Sequence, residues 1–186
     1  HCGWMHTSNS VDVSDVYLEK IAKKDGHIFY EYEKSERPVT VRAITLRYKA
    51  GEVLLTKTVT AYFTHHGPVM AKRNGQWVSV RSYNRSLTSL IQSWQRTKST
   101  GFESFKKTMA LCGNTSDNTV FADDKGAIAY WHGNFVPRRD KSLNWAKPVD
   151  GTTPATEWKG LHGLDEIVHV YNPANGWIQN CNSTPF

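Results

Sequence analysis

Leu87-Thr88-Ser89-Leu90-Ile91-Gln92-Ser93-Trp94 is the stretch where the chain changes its period. Leu87, Leu90, Ile91 and Trp94 stand at i, i+3, i+4 and i+7, the stripe of an amphipathic helix. Shortly after, Thr100-Gly101-Phe102-Glu103 fits a capping box, and Phe102, Phe105, Met109 and Cys112 make a second helical stripe. The expectation is two helices lying on a sheet.

Outward from the helices the signals are those of strands and turns. Upstream, Gly3 to Ser10 is small and polar after Trp4, and Val11 to Ile21 looks extended, with Val11 and Val13 on one face. Lys24-Asp25-Gly26 is a turn, and His27 to Glu33 carries Ile, Phe and two Tyr. In Val39 to Tyr48 the apolar phase shifts from Val39, Val41 and Ala43 to Ile44, Leu46 and Tyr48, which predicts a bulge. After a turn at Ala50-Gly51, Val53, Leu55, Val59, Ala61 and Phe63 alternate, and Asn74-Gly75 marks a hairpin between Val69–Lys72 and Gln76–Arg81.

Downstream, Asn118–Asp123, Asp124-Lys125-Gly126 and Ala127–Trp131 read as strand, turn, strand. Residues 133–164 look like one long loop, a feature that is often functional. Asn172-Pro173-Ala174-Asn175-Gly176 is a tight turn. Trp177 to Asn182 then reads as a short strand with Asn180 and Asn182 on one side. The class is α+β, mostly antiparallel sheet with a helix pair.

The 186 residues fit one domain, 39% hydrophobic and 22% charged, a globular rather than disordered composition. No apolar run nears the roughly 18 residues of a membrane span. The net charge of +6 is spread without a basic block or a nucleic-acid motif, so neither a membrane span nor nucleic acid is an expected partner. The three cysteines form no CxxC pair. Beginning at His1 and closing on Pro185-Phe186, the chain reads as a processed subunit or an excised piece.

None of the eight histidines is spaced as a metal site, and the adjacent His65 and His66 would face opposite sides of a strand. Asp12 and Asp15 could offer hard oxygen ligands to Ca²⁺, but two carboxylates are too few for a cage. There is no GxSxG elbow. Cys2 would be a candidate nucleophile only if His1 were removed, because its nitrogen is otherwise an amide. Asn180 and Asn182 are neutral amides of the kind that donate to an oxyanion without titrating, or that simply satisfy loop backbone.

Asn118–Tyr130, Glu157-Trp158-Lys159-Gly160-Leu161 and the closing Tyr171-Asn172-Pro173 with Gly176–Pro185 resemble the penicillin acylase (penicillin amidase) family, which includes acyl-homoserine lactone, aculeacin and cephalosporin acylases. Trp4 to Glu19 and Thr64-His65-His66-Gly67-Pro68-Val69 agree in order, so the resemblance covers essentially the whole chain. It implies an N-terminal nucleophile hydrolase, part of an αββα sandwich, cut from a precursor into two chains, in the periplasm or secreted. It also implies an acylated amine as substrate, with the α chain and the remainder of the β chain as partners. By that resemblance Asn182 and the backbone N–H of Ser8 would form the oxyanion hole, and Asp12 and Asp15 would be part of a calcium site. The nucleophilic Ser would lie upstream of His1, so these residues alone are expected to be inactive, as a single partial domain over 1–186. The rival expectation is a non-catalytic binding module that keeps the fold without the nucleophile.

Overall fold

In the computed structural model of the chain, the described residues are 1–82, 86–114 and 117–182. They begin with strands β1 (Cys2–Thr7), β2 (Asp15–Glu19), β3 (Ile21–Lys24), β4 (His27–Tyr32) and β5 (Ser35–Pro38). Next come β6 (Thr40–Ala50), β7 (Val53–Phe63), β8 (Val69–Arg73) and β9 (Gln76–Arg81). Helices α1 (Leu87–Arg96) and α2 (Phe102–Met109) follow, then β10 (Asn118–Asp123), β11 (Ile128–Trp131), β12 (Val149–Asp150) and β13 (His169–Tyr171). Among the described strands every pairing is antiparallel except β12 with β2. No described helix is long and apolar enough to cross a membrane. The chain divides into two compact units, one of His1–Val13, Tyr83–Arg139 and Trp158–Phe186, the other of Ser14–Ser82 and Asp140–Glu157.

The first unit holds a sheet in the order β1-β10-β11-β13. Its first strand lies in the stretch that reads as small and polar: Trp4 packs on Phe105 of α2 with ring centroids 5.3 Å apart, and pairing with β10 supplies the rest. Phe105 and Met109 of α2 pack with Phe121, Ala129 and Trp131 of the sheet, and with Leu164 and Ile167. Fully burying side chains of this size contributes about 1.5–3 kcal/mol each. Helix α2 is capped one residue later than the capping-box spacing predicts. Gly101 is the N-cap, Ser104 Oγ accepts from the N–H of Thr100 and Gly101, and Asp123 Oδ2 of β10 accepts from the N–H of Phe102 at 3.0 Å.

Helix α1 reverses the expected faces. Leu87, Leu90 and Trp94 are 70%, 68% and 67% exposed, while Gln92 is fully buried. Gln92 Oε1 accepts from the N–H of Gly113 at 2.7 Å and its Nε2 donates to Asn134 Oδ1 at 2.9 Å. A periodic stripe shows that a helix is two-faced; it does not show which face this chain covers. The buried polar groups at Gly113 and Asn134 need partners, and Gln92 supplies both.

The second unit holds a sheet in the order β12-β2-β9-β8, a three-stranded sheet β3-β4-β5 and a two-stranded ribbon β6-β7. Tyr30, Tyr32 and Val39 form its apolar cluster, with Tyr62 and Trp77 against it. Asn74 and Gly75 both have positive φ, as a two-residue hairpin turn requires. The predicted bulge in Val39–Tyr48 is absent: β6 and β7 pair without a shift from Thr40–Phe63 to Ala50–Val53. Most of the ribbon is exposed on both faces, so neither phase of apolar residues is held against a core. The irregularity falls instead between Val69 and Ala71 of β8.

Candidate functional site

The first unit gathers Ser8, Asn118, Asn180 and Asn182 through one amide network. Strand β1 ends at Thr7, opposite Asn118 of β10. Asn118 is fully buried, and its Nδ2 is within 3.1–3.2 Å of Thr7 Oγ1, the Ser8 carbonyl and Asn180 Oδ1. Thr7 Oγ1 donates to Asn180 Oδ1 at 2.6 Å, and Asn180 Nδ2 donates to the Tyr130 hydroxyl at 3.3 Å. The backbone N–H of Ser8 donates to Asn182 Oδ1 at 2.9 Å. Trp177 to Asn182 is not a strand. Asn182 has φ +63°, and its N–H folds back onto Asn180 Oδ1 at 2.9 Å. The two amides therefore meet through a tight bend rather than along an extended face. Next to them, Tyr130 hydrogen bonds His132 Nδ1 at 3.0 Å; burial pushes the Tyr130 phenol up and the His132 imidazole down.

Asp12, in the first unit, is exposed and pairs with the Arg139 guanidinium at 3.4 Å. Asp15, in the second, is buried at the start of β2. Among the described residues neither belongs to a group of three or more ligands of the His, Cys, Asp and Glu type. Cys2 lies in β1 against the apolar core, and its thiol donates to the Ser99 carbonyl at 3.4 Å.

The second unit holds a denser polar centre that spacing alone does not reveal. His65 and His66 do not lie on a strand. The chain turns between Thr64 and Gly67, whose N–H and C=O groups bond each other at 3.0 and 3.2 Å. This bend sets the two rings 3.8 Å apart and aims both Nε2 atoms at Glu157 Oε1, at 2.8 Å from His65 and 3.1 Å from His66. Gly67 makes the bend possible: its φ is +147°, and a Cβ there would stand 2.1 Å from the Val80 carbonyl oxygen. On the far side, Glu19 Oε1 accepts from His66 Nδ1 at 2.9 Å, Thr64 Oγ1 at 2.7 Å and Ser79 Oγ at 2.5 Å. Tyr17 stacks on His66 at 3.8 Å.

Electrostatically the centre is a pair of carboxylates around two imidazoles and one guanidinium. Burial pushes Glu157 up, but hydrogen bonds from His65 and Arg81 outweigh it and hold the carboxyl at about 2. Burial likewise pushes Glu19 up, and hydrogen bonds from His66, Ser79 and Thr64 hold it below its ordinary value. Burial, then the neighbouring His66, lowers His65. The adjacent histidines and the turn-forming Gly67 are the local signal for this centre; Glu157, 91 residues from His66, is beyond any local pattern.

The whole chain, residues 1–186, matches the family model described as penicillin amidase. It is 27% identical over 187 residues to penicillin G acylase of Escherichia coli, covering 98% of this chain and 21% of that protein. It is 25% identical over 192 residues to acyl-homoserine lactone acylase QuiP of Pseudomonas fluorescens, covering 96% of this chain and 22% of that protein. Among solved structures, a thermostable penicillin G acylase from Alcaligenes faecalis matches with a TM-score of 0.80 and 26% identity, over 100% of this chain and 33% of that one. The chain spans about a fifth of the length of the curated relatives it matches. Since the family match runs from the first residue to the last, this chain belongs to the penicillin amidase family.

Proposed function

We propose that the chain is part of an amidohydrolase that cleaves the amide of an N-acylated substrate, with Ser8 and Asn182 as its oxyanion hole. The observation that carries this reading is the 2.9 Å contact from the Ser8 N–H to Asn182 Oδ1. The Ser8 N–H now donates to a neutral amide. An oxyanion arriving between the two groups would take over that N–H, and a half-turn of the amide about Cβ–Cγ would aim Nδ2 at the same oxygen. Neither donor titrates near neutral pH, which suits a site that must stabilise negative charge only as it develops. Asn118 and Asn180 are positioning residues, holding the Ser8 carbonyl and the Asn182 N–H.

In this reading a nucleophilic Ser outside these 186 residues attacks the carbonyl. The amine leaves with a proton, and water then hydrolyses the acyl-enzyme. The fold would be part of the αββα sandwich of N-terminal nucleophile hydrolases, with the α chain and the rest of the β chain as partners, in the periplasm or secreted. The acylated amine would be of the β-lactam, acyl-homoserine lactone or lipopeptide type. A calcium ion would find suitable hard donors in Asp12 and Asp15, but two carboxylates supply only part of its six to eight oxygens, and Asp12 already meets Arg139. Its part would be structural.

The test is steady-state kinetics of the complete parent enzyme on a panel of N-acylated amines. Asn182→Ala is expected to lower kcat by about 10²–10³ with little change in KM. An unchanged kcat overturns the assignment of Asn182. The 186-residue chain by itself is expected to turn over none of the panel.

A further inference from the structure

We propose that His65, His66 and Glu157 form a binding site for one divalent transition-metal ion of the Zn²⁺ type. The site lies wholly in the second unit and is independent of the Ser8–Asn182 reading. Among the described residues it is the group in which three such ligand atoms converge, all within 4.8 Å of one another. Two imidazole nitrogens and one carboxylate oxygen are a recurrent ligand set of zinc sites that keep a fourth position open. The separations from Glu157 Oε1, 2.8 and 3.1 Å, approach the spacing that a tetrahedral ion needs. Bonds of about 2.0–2.1 Å set neighbouring ligand atoms roughly 3.3 Å apart.

The second observation is the shell behind these atoms. Each ligand has its other polar atom held: His66 Nδ1 by Glu19 at 2.9 Å, His65 Nδ1 by the Tyr30 hydroxyl at 3.0 Å, and Glu157 Oε2 by Arg81 Nη1 at 2.5 Å. A carboxylate behind a histidine is the usual means of fixing its tautomer and aiming its free nitrogen at a metal. The rings are clamped further, His66 by stacking on Tyr17 and His65 by the edge of Tyr32 at 4.6 Å. Charge also allows it. Two carboxylates, Glu19 and Glu157, bond the histidines directly, while Arg81 bonds the other Glu157 oxygen, Oε2, and Arg37 acts on His65 only through space. The side chains of His65 and Glu157 keep 26% and 25% of their surface exposed, which gives an ion a way in, while His66 is closed at the back.

Loading the ion would replace the hydrogens that the two Nε2 atoms now share with Glu157 Oε1, and those protons would leave to solvent. Two imidazoles among three ligands favour Zn²⁺, Co²⁺ or Ni²⁺ over Ca²⁺ or Mg²⁺, which prefer oxygen alone.

The experiment uses the purified, chelator-treated protein titrated with Zn²⁺ in two buffers of different ionisation enthalpy, and with Co²⁺ while the visible spectrum is recorded. Expected are one ion per chain, proton release on binding, an intense tetrahedral Co²⁺ spectrum and no competition from Ca²⁺. His65→Ala and Glu157→Gln should each weaken Zn²⁺ by at least the 10–100-fold typical of losing an outer-shell partner. His65 is partly exposed, so its variant is expected to fold, which circular dichroism checks. The absence of stoichiometric binding to the unsubstituted protein overturns the proposal and leaves a network held by protons alone. Binding of equal strength in both variants overturns it too, placing the ion on other histidines.

Discussion

Glu19 and His66 face each other across 2.9 Å, and neither side chain has any exposed surface. Glu19 Oε1 takes three hydrogen bonds, while Oε2 is buried with no hydrogen-bond partner among the described residues. Glu19→Ala would strand three buried donors and leave His66 with Glu157 alone. Removing one partner of a buried pair costs about 3–5 kcal/mol. The expected result is a urea midpoint lowered accordingly, and a shift under 1 kcal/mol would show that the centre relaxes without Glu19.

The pH dependence follows from Glu157, whose carboxyl is held at about 2 from an ordinary 4.5. A carboxylate depressed in the folded state stabilises it fully above the unfolded value and loses that contribution as pH falls through the folded one. Glu157→Gln should therefore melt below the unsubstituted protein at neutral pH, with the gap closing between about pH 4.5 and about pH 2. Melting temperatures of the two proteins across this range check it. A gap that is the same at both ends contradicts the electrostatic account.

Gly67→Ala is expected to destabilise through backbone geometry alone. The added methyl would collide with the Val80 carbonyl oxygen at 2.1 Å, in a conformation that L residues rarely adopt. Strain of this kind costs about 1–3 kcal/mol, and displacement of the strand adds to it. Denaturant unfolding should show the loss, and the His65–His66 geometry should change with it.

Helix α1 offers a paired test. Gln92→Ala orphans the buried Gly113 N–H, at about 1–3 kcal/mol, while Asn134 keeps the Asn114 N–H and the Met109 carbonyl. Trp94→Ser, on the apolar but exposed stripe, should stay within about 0.5 kcal/mol in this chain. Thermal melts of both variants decide it, and the reverse ranking would put the stripe rather than Gln92 at the packed face.

Where local chemistry decides, the residues could be read directly. Asn74-Gly75 makes a hairpin turn because those two residue types accept positive φ, and Asn118–Asp123 and Ile128–Trp131 pair across a turn at Asp124-Lys125-Gly126. Distant partners decide the rest. The Phe102 N–H is capped by Asp123, because a β10 carboxylate reaches it, while the box itself closes one residue late through Ser104. His65 and His66 share one acceptor because a bend at Gly67 overrides strand alternation. Asn180 and Asn182 meet through a left-handed residue where alternation predicted an extended run. Ser8 and Asn182 are named by resemblance, and the hydrogen bond between them lies 174 residues across the sequence, beyond any window of periodicity.

The ribbon of β6 and β7 has a consequence for how the protein behaves in concentrated solution. Val41, Ile44, Leu46, Tyr48, Val53, Leu54 and Leu55 are all exposed on it, and β-rich apolar strands with open edges are templates for adding a strand from another molecule. Arg42, Arg47, Lys49 and Lys57 punctuate the same two strands with charge of one sign. Each copy of the ribbon therefore repels its own kind, and high salt, which screens that repulsion, is the condition under which self-association through this hairpin becomes favoured.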